Sequence, residues 1–176
     1  MKIKHLFPIF LLLAIGTFSS CDLFDKATDV SFDADLPLEF TINETDVNPS
    51  GKDYSTSKML SASSDPDVAK YASKIKEFKV NRITYTISPG ASPNTVTFTN
   101  GALKAGTKTL ATVSSASLSN TAETDLTADA AGFNELATKL LGDLQEEVTL
   151  TGRLSATPVT FTVTFKFYVT ITANAL

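Results

Sequence analysis

Residues 159–173 alternate without a break. Val159, Phe161, Val163, Phe165, Phe167, Val169, Ile171 and Ala173 share one parity, and Thr160, Thr162, Thr164, Lys166, Tyr168, Thr170 and Thr172 share the other. A period of two belongs to a strand with one buried face, because a helix would scatter both sets around its axis. Such a run demands a sheet, and the sheet demands a second apolar layer to cover it. At about 3.3 Å per residue the run is longer than an ordinary strand, so it is expected to bend or to pass between two sheets.

The same alternation occupies residues 30–42. Val30, Phe32, Ala34, Leu36, Leu38, Phe40 and Ile42 fall on one face, with Asp33, Asp35, Pro37 and Glu39 on the other. Pro37 cannot donate to a ladder, which places this strand at an edge or breaks it there. Asp33, Asp35 and Glu39 offer hard oxygen ligands, the one weak cation candidate in the chain. They lack the spacing of an EF-hand loop, and charges on an edge strand also block edge pairing.

Between these two runs lie shorter signals. Residues 44–64 are rich in Ser, Thr, Asp, Asn and Lys and read as a long loop, with Tyr54, Met59 and Leu60 either as contact residues or as its half-buried anchors. Asp65-Pro66 is a helix start, followed by Val68, Tyr71, Ala72 and Ile75 at helical spacing. Residues 78–87 read as a strand whose phase slips at Asn81-Arg82, the mark of a β-bulge. Val96 and Phe98 mark another strand, and Asn100-Gly101 reads as its hairpin turn. Residues 110–118 form a weaker strand. Phe133, Leu136, Ala137, Leu140, Leu141 and Leu144 then follow helical spacing, predicting an amphipathic helix over 128–144 capped by Thr127. Its outer face carries Lys139 against Asp129, Glu135 and Asp143, so it is expected to pack on the sheet or plug one end of it. Val148, Leu150 and Leu154 lead through Thr157-Pro158 into the long strand, a final hairpin.

Six or seven antiparallel strands with one-sided apolar faces indicate a mostly β fold, an antiparallel β-sandwich of immunoglobulin-like or fibronectin-like architecture with two inserted helices. A small closed β-barrel is the alternative. An outer-membrane barrel would need eight or more such strands.

Composition then narrows the chemistry. The chain has one cysteine, Cys21, and one histidine, His5, both among the first 21 residues. No disulfide can form within the chain, and beyond residue 21 nucleophile–histidine catalysis and histidine-ligated metal are excluded. The remaining enzyme reading rests on neighbouring carboxylates, Asp33 with Asp35 or Glu146 with Glu147. Nothing in the sequence sets a second group opposite either pair, so no catalytic residue and no cofactor are assigned. Lys2 and Lys4 belong to the first 20 residues, so the remaining 156 hold 13 basic and 19 acidic residues, a net of −6. That balance argues against nucleic acid as a partner. The basic middle (Lys70, Lys74, Lys76, Lys79, Arg82) reads as a solvated face.

The N-terminus has the order of a secretory signal. Lys2 and Lys4 precede the apolar run IFLLLAI at residues 9–15, and small residues follow. The run is about half of the roughly 20 apolar residues a spanning helix needs. Phe18-Ser19-Ser20-Cys21 resembles a bacterial lipobox, with Phe18 where that family more often has Leu. Asp22 and Asp25 resemble the acidic starts of Bacteroidetes-type lipoproteins. The resemblance implies cleavage between Ser20 and Cys21, a diacylglycerol on the Cys21 thiol and acylation of the new amine. Two or more acyl chains give stable membrane association. The organisation expected is therefore a signal peptide over 1–20, a lipidated tether over 21–28 and a single sandwich over 29–176. The expected function is a lipid-anchored cell-envelope lipoprotein of the outer membrane. It would be a binding, adhesion or accessory module without catalytic activity, with the membrane and a protein or glycan as partners. A structural protein self-associating through strand edges is the alternative.

Overall fold

A computed structural model describes residues 28–175. The long alternating run becomes β9 (Thr157–Asn174), the central strand of a four-stranded sheet. Its eight inward side chains from Val159 to Ala173 are at most 5% exposed. Fully burying a Val, Ile or Phe side chain contributes roughly 1.5–3 kcal/mol, so this one strand supplies a large part of the core. β9 stays in a single sheet along its whole length, so the expected passage between sheets does not occur.

On one side β9 pairs antiparallel with β1 (Asp29–Asn48) and on the other with β3 (Ile75–Ile87). The two-residue β6 (Thr124–Asp125) continues the sheet beyond β3, giving the order β1-β9-β3-β6. β1 is thus an edge strand, the position that tolerates Pro37. The phase slip in β3 falls between Val80 and Arg82, where the ladder register shifts. The second sheet has the order β2-β8-β4-β5-β7. It contains β2 (Lys52–Ser61), β4 (Thr97–Ala105), β5 (Lys108–Ser117), β7 (Thr127–Ala128) and β8 (Gln145–Leu154). One continuous hydrophobic cluster joins the inner faces of both sheets. The fold is therefore a mostly β, antiparallel sandwich with two helices in its connections. The sheets do not close on each other, which removes the small barrel.

Three local expectations are corrected. Residues 44–64 are mostly strand: β1 runs to Asn48, the chain turns at residues 49–51, and β2 returns in the other sheet. Asn100-Gly101 is not a turn. Asn100 has φ 51°, the β4–β8 register shifts there, and the strand continues to Ala105. A Cβ on Gly101 would lie 2.7 Å from Val113 Cγ1, so glycine serves close packing. The hairpin turn is Gly106-Thr107, closed by the Ala105–Lys108 pair, with Gly106 at φ +54°. Finally, β8 and β9 do not form a hairpin. β8 pairs with β2 and β4, so the link at residues 155–156 crosses from one sheet to the other.

Both helices lie at one end. Asp65 caps α1 (Pro66–Tyr71), accepting from the Asp67 and Val68 amides, with Pro66 at the first helical position. α2 (Ala130–Asp143) is capped by Asp129, which accepts from the Gly132 amide, and not by Thr127. Its buried Gly132, Phe133, Leu136 and Leu140 pack against β3 of one sheet and β4, β5 and β8 of the other. Gly132 is required there because a Cβ would fall 1.9 Å from the Thr109 carbonyl oxygen. Leu144 ends the helix in the left-handed conformation, φ 56°.

Candidate functional site

Cys21 and Ser20, the expected lipidation and cleavage residues, lie outside the described residues, as does the signal before them. The structure does fix where the described chain begins. Asp29 begins β1 opposite Asn174, and the Ala175 amide donates to the Thr28 carbonyl at 2.8 Å. Both ends of the described chain therefore meet at one end of the four-stranded sheet. Lys76 at the start of β3 reaches Asp29 Oδ1 at 2.7 Å, and α1 joins the same end through the Phe32–Tyr71 ring contact. The connections at residues 49–51, 88–96, 118–123 and 155–156 collect at the opposite end. There Leu118 donates to Val96, Ser155 donates to Thr97, and Ser92 bridges to Thr160.

Asp33, Asp35 and Glu39 all sit on the outward face of β1 and do not converge. Along a strand, Asp33 and Asp35 have Cα atoms roughly 7 Å apart, and Asp35 and Glu39 roughly 13 Å. Asp33 accepts from Thr170 Oγ1 at 2.7 Å, Asp35 lies 3.9 Å from Lys166 Nζ, and Glu39 is exposed opposite Thr164. Among the described residues no group of three His, Cys, Asp or Glu could hold a metal ion. Glu146 and Glu147 are successive residues of β8, so their side chains leave opposite faces.

The basic middle is dispersed. Lys76 serves Asp29, Lys70 lies 4.9 Å from the Tyr71 ring centroid, and Arg82 reaches Asp125 at 3.3 Å. Of Tyr54, Met59 and Leu60, two are anchors: Leu60 is fully buried and half-buried Tyr54 stacks edge-on against Phe98 at 6.5 Å. Only Met59 is exposed, at 54%.

A cluster on the outer face of the four-stranded sheet was not anticipated. Tyr168 donates its hydroxyl to Glu123 Oε1 at 2.5 Å, and buried Thr84 donates to the same oxygen at 2.7 Å. The Arg82 guanidinium covers the Tyr168 ring at 4.0 Å from its centroid, and Lys166 Nζ lies 5.4 Å from it. The Tyr168 hydroxyl, then Thr84, holds the Glu123 carboxyl below its ordinary value of 4.5. The sequence signal was the interruption of the outward threonines by Lys166 and Tyr168. Chemically the cluster is self-satisfied: it latches the segment before β6 onto β9 and β3.

Two spaces remain. An apolar cavity of about 30 Å³ lies between the sheets, bordered by Tyr85, Phe98, Ala111, Leu126 and Phe161. That is about the share of one water molecule in the liquid, too small for a substrate or cofactor. A shallow groove of about 260 Å³ runs between the start of β3 and α2, past Lys76, Phe78, Asn134, Ala137 and Leu141. Among the described residues no helix is long and apolar enough to cross a membrane.

No family profile matches the chain, and no curated protein is similar to it. Similarity is found among solved structures. A decameric BFDV capsid protein aligns with 9% identity over 81% of this chain and 98% of that chain, at a TM-score of 0.46. A Desmodium yellow mottle tymovirus chain aligns with 12% identity over 84% of this chain and 89% of that one, at 0.42. Neither similarity bears on function.

Proposed function

We propose that the protein is a lipid-anchored lipoprotein of the cell envelope, held by acyl chains on Cys21, whose sandwich is a non-catalytic binding or accessory module. The observation that carries the reading is the signal at residues 6–21 ending in the chain's single cysteine. On this reading the position of Asp29 sets the orientation of the sandwich. A tether of eight residues, reaching at most about 28 Å when extended, would enter at the end that carries α1 and α2. The connections at residues 49–51, 88–96, 118–123 and 155–156 then face away from the bilayer, where a rigid sheet can present them to a protein or glycan. Among the described residues, the candidate carboxylates Asp33, Asp35 and Glu39 lie apart along β1, and Glu123 and Arg82 are engaged with Tyr168.

The test is metabolic labelling with an alkyne fatty acid. Wild type is expected to incorporate the label and Cys21→Ala to lose it; equal incorporation removes the reading. For the binding role, crosslinking on cells and a glycan array are expected to return a defined partner, and blank results in both refute it.

Self-association through strand edges remains the second reading, favoured by one observation: among the described residues β2 pairs only with β8 and is an edge of its sheet. β9 cannot serve, being paired on both sides. Concentration-dependent oligomers by light scattering are expected on this reading, and a strict monomer removes it.

A further inference from the structure

We propose that β1 is a mechanical clamp, strong against load that runs from the anchor to the far end and weak against load that separates the two chain ends. The proposal rests on the reading of Cys21 as the attachment point, which decides where force enters. The clamp itself is a matter of register.

β1 and β9 are paired without interruption from Asp29–Asn174 to Glu44–Val159, sixteen consecutive pairs. Hydrogen bonds of an antiparallel ladder lie across the strands. A pull along the strand axis therefore loads the whole ladder at once. A pull that spreads the strands at one end breaks the rungs in turn. Force entering at Asp29 draws β1 along its own axis. A partner held by the far connections draws the other way on β9 and β3, which are themselves paired from Ile75–Ala173 to Ile87–Val163. The 88–96 connection is stitched to β9 by two hydrogen bonds of 2.9 Å between Ser92 and Thr160, so load applied there reaches β9 directly.

The core opposes the same motion. Ala34, Leu36, Leu38, Phe40 and Ile42 of β1 are all at most 5% exposed, and sliding the strand would expose them together. The edge position of β1 would otherwise make it the easiest strand to peel. Its direction, with the first residue at the anchored end, converts peeling into shear. The Lys76–Asp29 ion pair and the Thr28–Ala175 hydrogen bond sit where the load enters.

The test is single-molecule force spectroscopy on the unlipidated chain from Cys21 onward, with DNA handles on two thiols. In the first geometry the handles are on Cys21 and Asn94→Cys, an exposed residue of the far connection. In the second they are on Cys21 and Ala175→Cys, beside Thr28. Forced rupture reports the unfolding barrier along the pulled direction. The first geometry is expected to rupture at several times the force of the second. Equal forces, or a stronger second geometry, overturn the clamp. Because no lipid is involved, that failure is separate from a failure of the labelling experiment. Thr121→Cys, also exposed at the far end, replaces Asn94→Cys if the latter loses the circular dichroism of the parent.

Discussion

Glu123 is exposed, yet two hydroxyls converge on one of its oxygens. Its folded value lies below its unfolded one, so its contribution to stability is fully present above about pH 4.5 and is lost as pH falls through the lower folded value. Tyr168→Phe removes the larger cause. The Glu123 titration, followed by NMR, is expected to move up toward its ordinary value, and an unchanged midpoint would show that the hydroxyl contact is not made in solution. Gly132 gives a prediction of opposite sign to helix propensity. Alanine in a helix interior normally gains about 1 kcal/mol over glycine. Here its Cβ would meet backbone 1.9 Å away, which no rotamer relieves. Gly132→Ala is therefore expected to destabilise by about 2–3 kcal/mol in denaturant titration, and a gain in stability would contradict the packing of α2 on β5. Neither residue could be singled out from sequence. Glycine at a close approach looks like any other glycine until the facing strand is known, and Glu123 acquires its role from residues about 40 positions away on two other strands.

The elements were legible where a buried face imposed its period. β1, β9 and α2 each present one apolar side, and Val80–Arg82 of β3 showed its bulge as a change of parity. β2 was not legible. It is an edge strand with Asp53, Ser55, Ser57, Lys58 and Met59 exposed, so its composition is that of a loop. Asn100-Gly101 carries a hairpin's residues but does a bulge's work, because Val113 and Phe98 crowd the glycine. Alternation shows that β8 and β9 are strands but not that their partners lie in different sheets. Helix starts are a finer matter. Thr127 and Asp129 are both good caps by residue type, and only geometry selects Asp129, which accepts from Gly132 at 3.0 Å. Asp129→Ala is expected to cost about 1 kcal/mol, and Thr127→Ala, an exposed residue of β7, a few tenths at most. Thermal unfolding of the two variants decides between them, and equal losses would contradict the assignment.

For the whole molecule, layers and strand order were legible to different depths. One-sided strands require two facing sheets, so the sandwich followed from periodicity, while strand order is a property of pairing that no single strand carries. The supposed cation residues illustrate the limit. Asp33, Asp35 and Glu39 are close in sequence, but strand geometry spreads them along one edge beside Thr170 and Lys166. The anchor is a covalent claim and belongs to chemistry at Cys21, beyond the sheets themselves. Its most direct test is the intact mass of the protein recovered from the cells that make it. The expected mass is that of a chain beginning at Cys21 and heavier than its amino acids by a diacylglycerol and an amine-linked acyl group. A soluble chain with another first residue, or one whose Cys21 thiol is free, would contradict it.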